Sequence, residues 1–302
     1  MSLFRLIRLP NLIIVALTQY LLYYKIILPI LQKNAINPAL QAQEFSLLVI
    51  ITVLITAGGY IINDIIDLRI DRINKPERVI IGKYVAHQTA YWLYFCINIS
   101  GFFMSIFLAF VANRTLLLFL FPGAVIGLLL YSARLKKQPL WGNLLVSFYC
   151  ASVAIILWIA EQSTIEKLPE SEAIIITKIL SFYTIFAFFS TLFREIVKDM
   201  EDAHGDAQDQ ARTIPIAWGE RIAKAIAVVS ALLLFLSLVY AAFALRVNLN
   251  ILGLVFIGLV GILIITSLLL LFKAKEKLQY HNLSQFAKII MLCGILLLLF
   301  FK

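Results

Sequence analysis

Long apolar stretches separated by short polar ones run the whole length of the chain. Near 9–31, 46–66, 89–112, 115–133, 141–160, 173–193, 222–245, 249–272 and 285–301 the apolar residues are continuous enough to cross about 30 Å of hydrocarbon. The pattern predicts nine membrane-spanning helices and an all-α, polytopic membrane protein. The first run exceeds the roughly 7–15 residues of a signal-peptide core, and no small-x-small cleavage site follows directly. It is read as the first span. No linker or low-complexity segment divides the chain, so residues 1–302 form one membrane domain.

Composition agrees. Hydrophobic residues make up 62% and charged ones 14%, against roughly 45–50% and 25% in a soluble domain. Most of the 26 Lys and Arg residues fall on one side if the N-terminus is cytoplasmic, from Arg5 and Arg8 through the 69–83, 134–137 and 194–224 segments to Lys273–Lys288. The opposite side keeps few, and its loop near Glu161 to Glu172 is mostly acidic. This bias predicts N-in, C-out in the cell (inner) membrane. It also accounts for the net charge of +9 without a nucleic-acid partner. Cys96, Cys150 and Cys293 lie in apolar spans without C-x-x-C spacing and read as buried structural thiols. His87, His204 and His281 form no ligand cluster in sequence.

Against this apolar background one acidic spacing occurs twice. Asp64, Asp67 and Asp71 form D-x-x-D-x-x-x-D after span 2. Asp199, Asp202 and Asp206 repeat it 135 residues later, after span 6. On a helix such positions share one face, and three stacked carboxylates repel one another unless cations sit among them. An offset of four spans gives both copies the same membrane orientation, as in a parallel internal repeat. Aspartate oxygens with water and phosphate oxygens suit Mg²⁺, which bridges one or two carboxylates to a phosphorylated substrate. Arg72, Lys75, Arg78, Lys136, Arg194, Lys198 and Arg212 are candidates to stabilise a departing diphosphate, with Arg194 and Lys198 one helical turn apart. A diphosphate carried on a long hydrocarbon fits a site surrounded by apolar spans, since each buried CH₂ contributes about 0.8 kcal/mol. A transporter is the rival from another class. It predicts mid-span charges and commonly an inverted repeat, neither of which stands out here.

Asn63-Asp-x-x-Asp-x-x-x-Asp71 followed by Asn74-Lys-Pro-Glu-Arg78, with the second aspartate run, resembles the paired signatures of the UbiA superfamily of intramembrane prenyltransferases. Tyr131-Ser-x-x-Leu-Lys136 with Pro139-Leu-x-Gly-Asn143 is similar to that family's connection between spans 4 and 5. Arg8-x-Pro-Asn11 resembles its approach to span 1. The resemblance implies nine helices around a central cavity open to lipid, cytoplasmic cap loops, and Mg²⁺ with a prenyl diphosphate held by Asp64, Asp67, Asp71, Asp199, Asp202 and Asp206. It implies substrate contacts from Arg8, Asn63, Arg78, Lys136, Arg194 and Lys198. Arg194-Glu-Ile-Val-Lys-Asp-Met-Glu-Asp-Ala-x-Gly-Asp206 with Arg212-Thr-Ile-Pro215 looks most like the geranylgeranylglycerol-phosphate geranylgeranyltransferases of ether-lipid synthesis. The expected activity is therefore Mg²⁺-dependent transfer of a polyprenyl group, geranylgeranyl first, to a lipophilic acceptor. Prenylation of 4-hydroxybenzoate or dihydroxynaphthoate for quinone synthesis is the alternative. The lipid bilayer is the one obligate surrounding, and no protein partner is implied.

Overall fold

The computed structural model describes residues 2–74, 76–113 and 115–301, with Ser2, Ile73, Asn74 and Arg78 described by backbone alone. Among the described residues nine helices are long and apolar enough to cross a membrane. They are α1 (Leu9–Lys33), α2 (Ala42–Ile66), α3 (His87–Val111), α4 (Leu116–Ala133), α5 (Trp141–Ile165), α6 (Glu170–Gln208), α7 (Glu220–Ala244), α8 (Ile251–Lys273) and α9 (Lys277–Leu296, extended by a 3₁₀ turn Leu297–Phe300). Helices close their own backbone hydrogen bonds, which hydrocarbon cannot do for them. Side chains such as Phe103, Phe110, Phe119, Ile251 and Phe272 stay exposed, an outer surface suited to lipid rather than water.

Helix α2 packs against α1, α3 and α4, while α6 packs against α5, α7 and α9. Contacts of α1 with α5 and with the Leu297–Phe300 turn join the two groups. At mid-span the Gln19 amide of α1 donates to the Thr52 hydroxyl of α2 (3.2 Å) and to the Val153 carbonyl of α5 (3.4 Å). Such hydrogen bonds hold helices together where apolar contact alone discriminates little between protein and lipid.

Three features differ from the expectation. Helix α6 does not end near 193 but runs 39 residues to Gln208, so the second aspartate run lies within the span 6 helix and not after it. It stops where Gln210 adopts a left-handed conformation (φ 57°) and the Ala211 N–H returns to the Asp206 carbonyl (2.9 Å). Glu161 is not a loop residue. It is buried in α5 and accepts hydrogen bonds from the Ala39 N–H (2.8 Å), the Leu40 N–H (3.0 Å) and the Thr164 hydroxyl (2.6 Å). Its carboxylate thereby fixes the α1–α2 loop at the end of the bundle opposite the aspartates. Cys96 faces outward and is exposed, whereas Cys150 and Cys293 are half-buried.

Candidate active site

The first motif straddles a helix break. Asp64 lies in the last turn of α2, Asp67 follows its end with near-helical dihedrals (φ −81°, ψ −4°), and Asp71 lies on a short helix, Leu68–Asn74. Hydrogen bonds from the Asp67 N–H to the Asn63 carbonyl (2.8 Å) and from the Asp71 N–H to the Asp67 carbonyl (2.9 Å) carry the helical pattern through the break.

Each carboxylate has a distinct environment. Arg8 adopts a left-handed conformation (φ 51°) just before α1, and its Nη2 donates to Asp64 Oδ1 at 2.8 Å. Its guanidinium lies 4.7 Å from the centre of the Tyr60 ring, and Asn11 donates to the Tyr60 hydroxyl (3.1 Å). Asp67 is buried. Its Oδ2 accepts from the Asn63 amide (2.8 Å) and pairs with the Lys136 ammonium, which also reaches Asn63 Oδ1 (3.5 Å). Its Oδ1 is buried with no hydrogen-bond partner. Asp71 is half-buried and its carboxyl is pushed up to about 6, chiefly by burial and then by like charge on Asp67 and Asp64. Lys136 and Lys198 oppose that rise.

Lys198 belongs to α6, so its action on Asp71 already joins the two motifs, and the Leu68–Asn74 helix packs on α6. In the second motif Asp199 Oδ2 accepts from the Asn143 amide at 2.8 Å, and Asp202 and Asp206 are half-buried. Tyr131 of α4 lies within electrostatic reach of Asp67, Asp199 and Lys198, between the two banks.

Lys136 and Asn143 reach opposite banks from one connection. The chain leaves α4 through a 3₁₀ turn (Leu135–Lys137) and takes Leu140 to a positive φ of 69°. It then packs Gly142 onto the backbone of Lys136, where a Cβ would lie 2.6 Å from Lys136 Cα and 2.9 Å from the Leu135 carbonyl. Only glycine allows that approach. The Lys137 ammonium pairs with Asp209 (2.5 Å) and its carbonyl accepts from the Arg212 N–H (2.8 Å), anchoring the connection to the end of α6.

Of the expected basic residues, Arg8, Lys136 and Lys198 act on the aspartates, while the Arg78 side chain and Lys75 lie outside the described residues. Arg194 and Lys198 are not a bare cationic pair. Glu195, buried between them, pairs with Arg194 and lies 3.9 Å from the Lys198 ammonium. Sequence reasoning passed over Glu195, Tyr60 and the role of Asn143. The repeat itself points to Asn143. Adding the 135-residue offset to Arg8 gives 143, as it takes Asp64 to Asp199, and both contacts span 56 residues.

The donor set fits magnesium. Carboxylate and amide oxygens are the hard ligands it prefers, and the bare Asp67 Oδ1 is an acceptor in want of a partner. Among the described residues no three carboxylate, imidazole or thiol groups converge to enclose an ion alone. Magnesium seldom uses such a cage and takes its remaining ligands from water and substrate phosphate.

The model of the UbiA prenyltransferase family matches residues 31–292. The digeranylgeranylglyceryl phosphate synthase of Methanopyrus kandleri is 32% identical over 185 residues, 61% of this chain and 62% of that protein. The synthase of the same name from Methanoculleus marisnigri is 36% identical over 175 residues, 58% of this chain and 57% of that one. The chain thus spans about three fifths of the length of the curated relatives it matches. Among solved structures, a digeranylgeranylglyceryl phosphate synthase superposes with a TM-score of 0.69 at 24% identity, covering 98% of this chain and 96% of that one. A UbiA homologue from Archaeoglobus fulgidus bound to DMAPP and Mg²⁺ gives 0.53 at 17% identity, covering 99% of each chain. At these identities the structures show a shared fold.

Proposed function

We propose a specific reaction for this chain, which belongs to the UbiA prenyltransferase family: Mg²⁺-dependent transfer of a geranylgeranyl group from its diphosphate to a hydroxyl of geranylgeranylglycerol phosphate, a step of ether-lipid synthesis. The observation that carries it is the meeting of two aspartate banks at one end of an apolar bundle, with Lys136 paired to the first bank and Lys198 acting on both. Asp64, Asp67, Asp71, Asp199, Asp202 and Asp206 would hold Mg²⁺. When bound, the metal neutralises charge gathering on the departing diphosphate.

Every other task falls to this chain's own groups. Asn63 and Asn143 orient Asp67 and Asp199 by donating one amide hydrogen to each, leaving the second oxygen available. Arg8 holds Asp64 in place. Lys136 and Lys198 offer the diphosphate cationic donors as the allylic C–O bond breaks and its electron pair leaves with the phosphate. Arg194, with its Nε buried and lacking a hydrogen-bond partner, offers a further donor to substrate phosphate. The acceptor hydroxyl then captures the allylic carbon. The names of the relatives support this acceptor, and the Lys/Arg bias supports a cytoplasmic site with the N-terminus on the same side.

The test is product identification by mass, with purified protein, Mg²⁺, prenyl diphosphates of several lengths and a panel of acceptors. An ether of geranylgeranylglycerol phosphate, lost in excess EDTA, is expected. Prenylated hydroxybenzoate or dihydroxynaphthoate without any ether would reject the acceptor and keep the transfer. Undiminished turnover in EDTA would remove the metal.

A further inference from the structure

Few basic residues lie at the end of the bundle opposite the aspartates, yet two of them share a cavity there. The cavity has a volume of about 230 Å³. Lys25, Ile30 and Lys33 of α1 line one wall, Glu172 and Ile179 of α6 line the other, and Asn248 of the α7–α8 connection adjoins them. It lies beside α1, the helix whose contacts join the two groups of the bundle. The Lys33 ammonium bridges the walls by donating to the Glu172 carboxylate (2.7 Å).

Lys25 is the odd member of this set. It lies about 12 Å of helix axis nearer the middle of α1 than Lys33 does. Among the described residues it makes no hydrogen bond or ion pair, and Glu172 is already engaged by Lys33. A charge within a membrane span is costly and marks a site or a pathway by default. The helix is irregular at the same place. Pro29 has no N–H to return to the Lys25 carbonyl, and α1 widens over Tyr23–Ile27 into a π turn centred on Lys25. Interruptions of this kind are frequent at functional sites.

Two ammoniums against one carboxylate leave the walls with positive charge in excess, beside apolar surface from Ile30 and Ile179. That combination fits a phosphate carried on hydrocarbon. Pockets that enclose a drug-sized ligand measure about 300–1,000 Å³. This smaller one suits a headgroup and the top of one chain, with the rest of the lipid left in the bilayer. We propose that the cavity binds an anionic phospholipid of the leaflet opposite the aspartates, with Lys25 as the main contact to its phosphate. Lys33 and the Asn248 amide meet the same headgroup, and the chain follows Ile30 and Ile179 inward. The bound lipid joins α1 to α6 and so adds to the Lys33–Glu172 bridge between the two helix groups.

The full chain, purified in a nonionic detergent, is titrated with dioleoylphosphatidylglycerol, and bound lipid is counted by native mass spectrometry. One saturable lipid per chain is expected. Loss of a charge-assisted contact in Lys25→Met should weaken its binding by about 10- to 150-fold. Lys25→Arg keeps the charge and should stay within about fivefold of wild type. The exposed Lys167, just ahead of α6, serves as the control for general surface charge, and Lys167→Met should change binding by less than about twofold. Thermal unfolding gives a second readout. Phosphatidylglycerol should raise the midpoint of wild type and Lys25→Arg, and should raise that of Lys25→Met far less. Phosphatidylcholine or inorganic phosphate binding as tightly as phosphatidylglycerol would overturn the proposal. So would equal losses from Lys25→Met and Lys167→Met, or a Lys25→Arg variant that binds no better than Lys25→Met.

Discussion

Asp67 shows how one carboxylate can be both fixed and available. One oxygen is tied to Asn63 and Lys136, and the other is buried without a partner. Leaving a buried acceptor unmet costs about 1–3 kcal/mol, a cost that persists where a ligand is to arrive. Asp67→Asn and Asp202→Asn preserve shape and remove one charge from each bank, so each should lose about 10²–10³-fold in kcat while inserting and purifying normally. Glu166→Gln and Glu170→Gln, at the opposite end of the bundle, should change turnover less than twofold. Equal effects from all four, measured as diphosphate release, would detach the aspartates from the chemistry. The aspartates were legible in sequence because negative charge among nine apolar runs has no bland use. Glu195 was not, because next to Arg194 and near Lys198 it reads as ordinary charge balance, and only its burial separates it from the surface.

At the scale of the element, the α4–α5 connection does more than join two spans. It presents Lys136 to one bank and Asn143 to the other, and the contact of Gly142 with the Lys136 backbone sets their separation. Gly142→Ala would force that backbone apart. Since a misplacement near 1 Å can cost about 100-fold in rate, kcat should drop by about 10- to 100-fold with KM for the donor also raised. Wild-type kinetics from the purified variant would show that the connection tolerates the shift. The nine spans were visible because apolar runs of that length have few alternatives. The extension of α6 past residue 193 was hidden because its polar residues end the apolar run without ending the helix. Helix formers such as Glu201, Ala203 and Ala207 continue it, and packing of α6 against α5, α7 and α9 supports it. The break after Ile66 in the first motif has no comparable sequence signal.

Across the whole molecule, α2 and α6 play matching parts, and the equal 56-residue reach of Arg8 to Asp64 and Asn143 to Asp199 is the repeat expressed in contacts. Matching orientation places both banks at one end, and we propose from the Lys/Arg bias that this end faces the cytoplasm. In a variant freed of its own three cysteines, an impermeant thiol reagent applied to intact cells should label cysteines placed at Lys167 and Val247. It should not label those at Gln138 and Gln208. Labelling of Gln138→Cys from outside would invert the assignment.

The clamp of Glu161 on Ala39 and Leu40 also has a meaning in time. The two amides belong to the first hairpin, yet their acceptor lies 121 residues later than Leu40 in the chain. At a synthesis rate of about 5–20 residues per second, roughly 6–24 s separate the two on the ribosome. Helices α1 and α2 are therefore made before the acceptor of these two loop amides. Tyr23 donates to the Leu40 carbonyl from within the hairpin (2.6 Å), and Glu44 accepts from the Gln41 N–H. Yet the Ala39 and Leu40 amides gain their acceptor only once α5 has been made, so the last step in fixing the loop belongs to the fifth span.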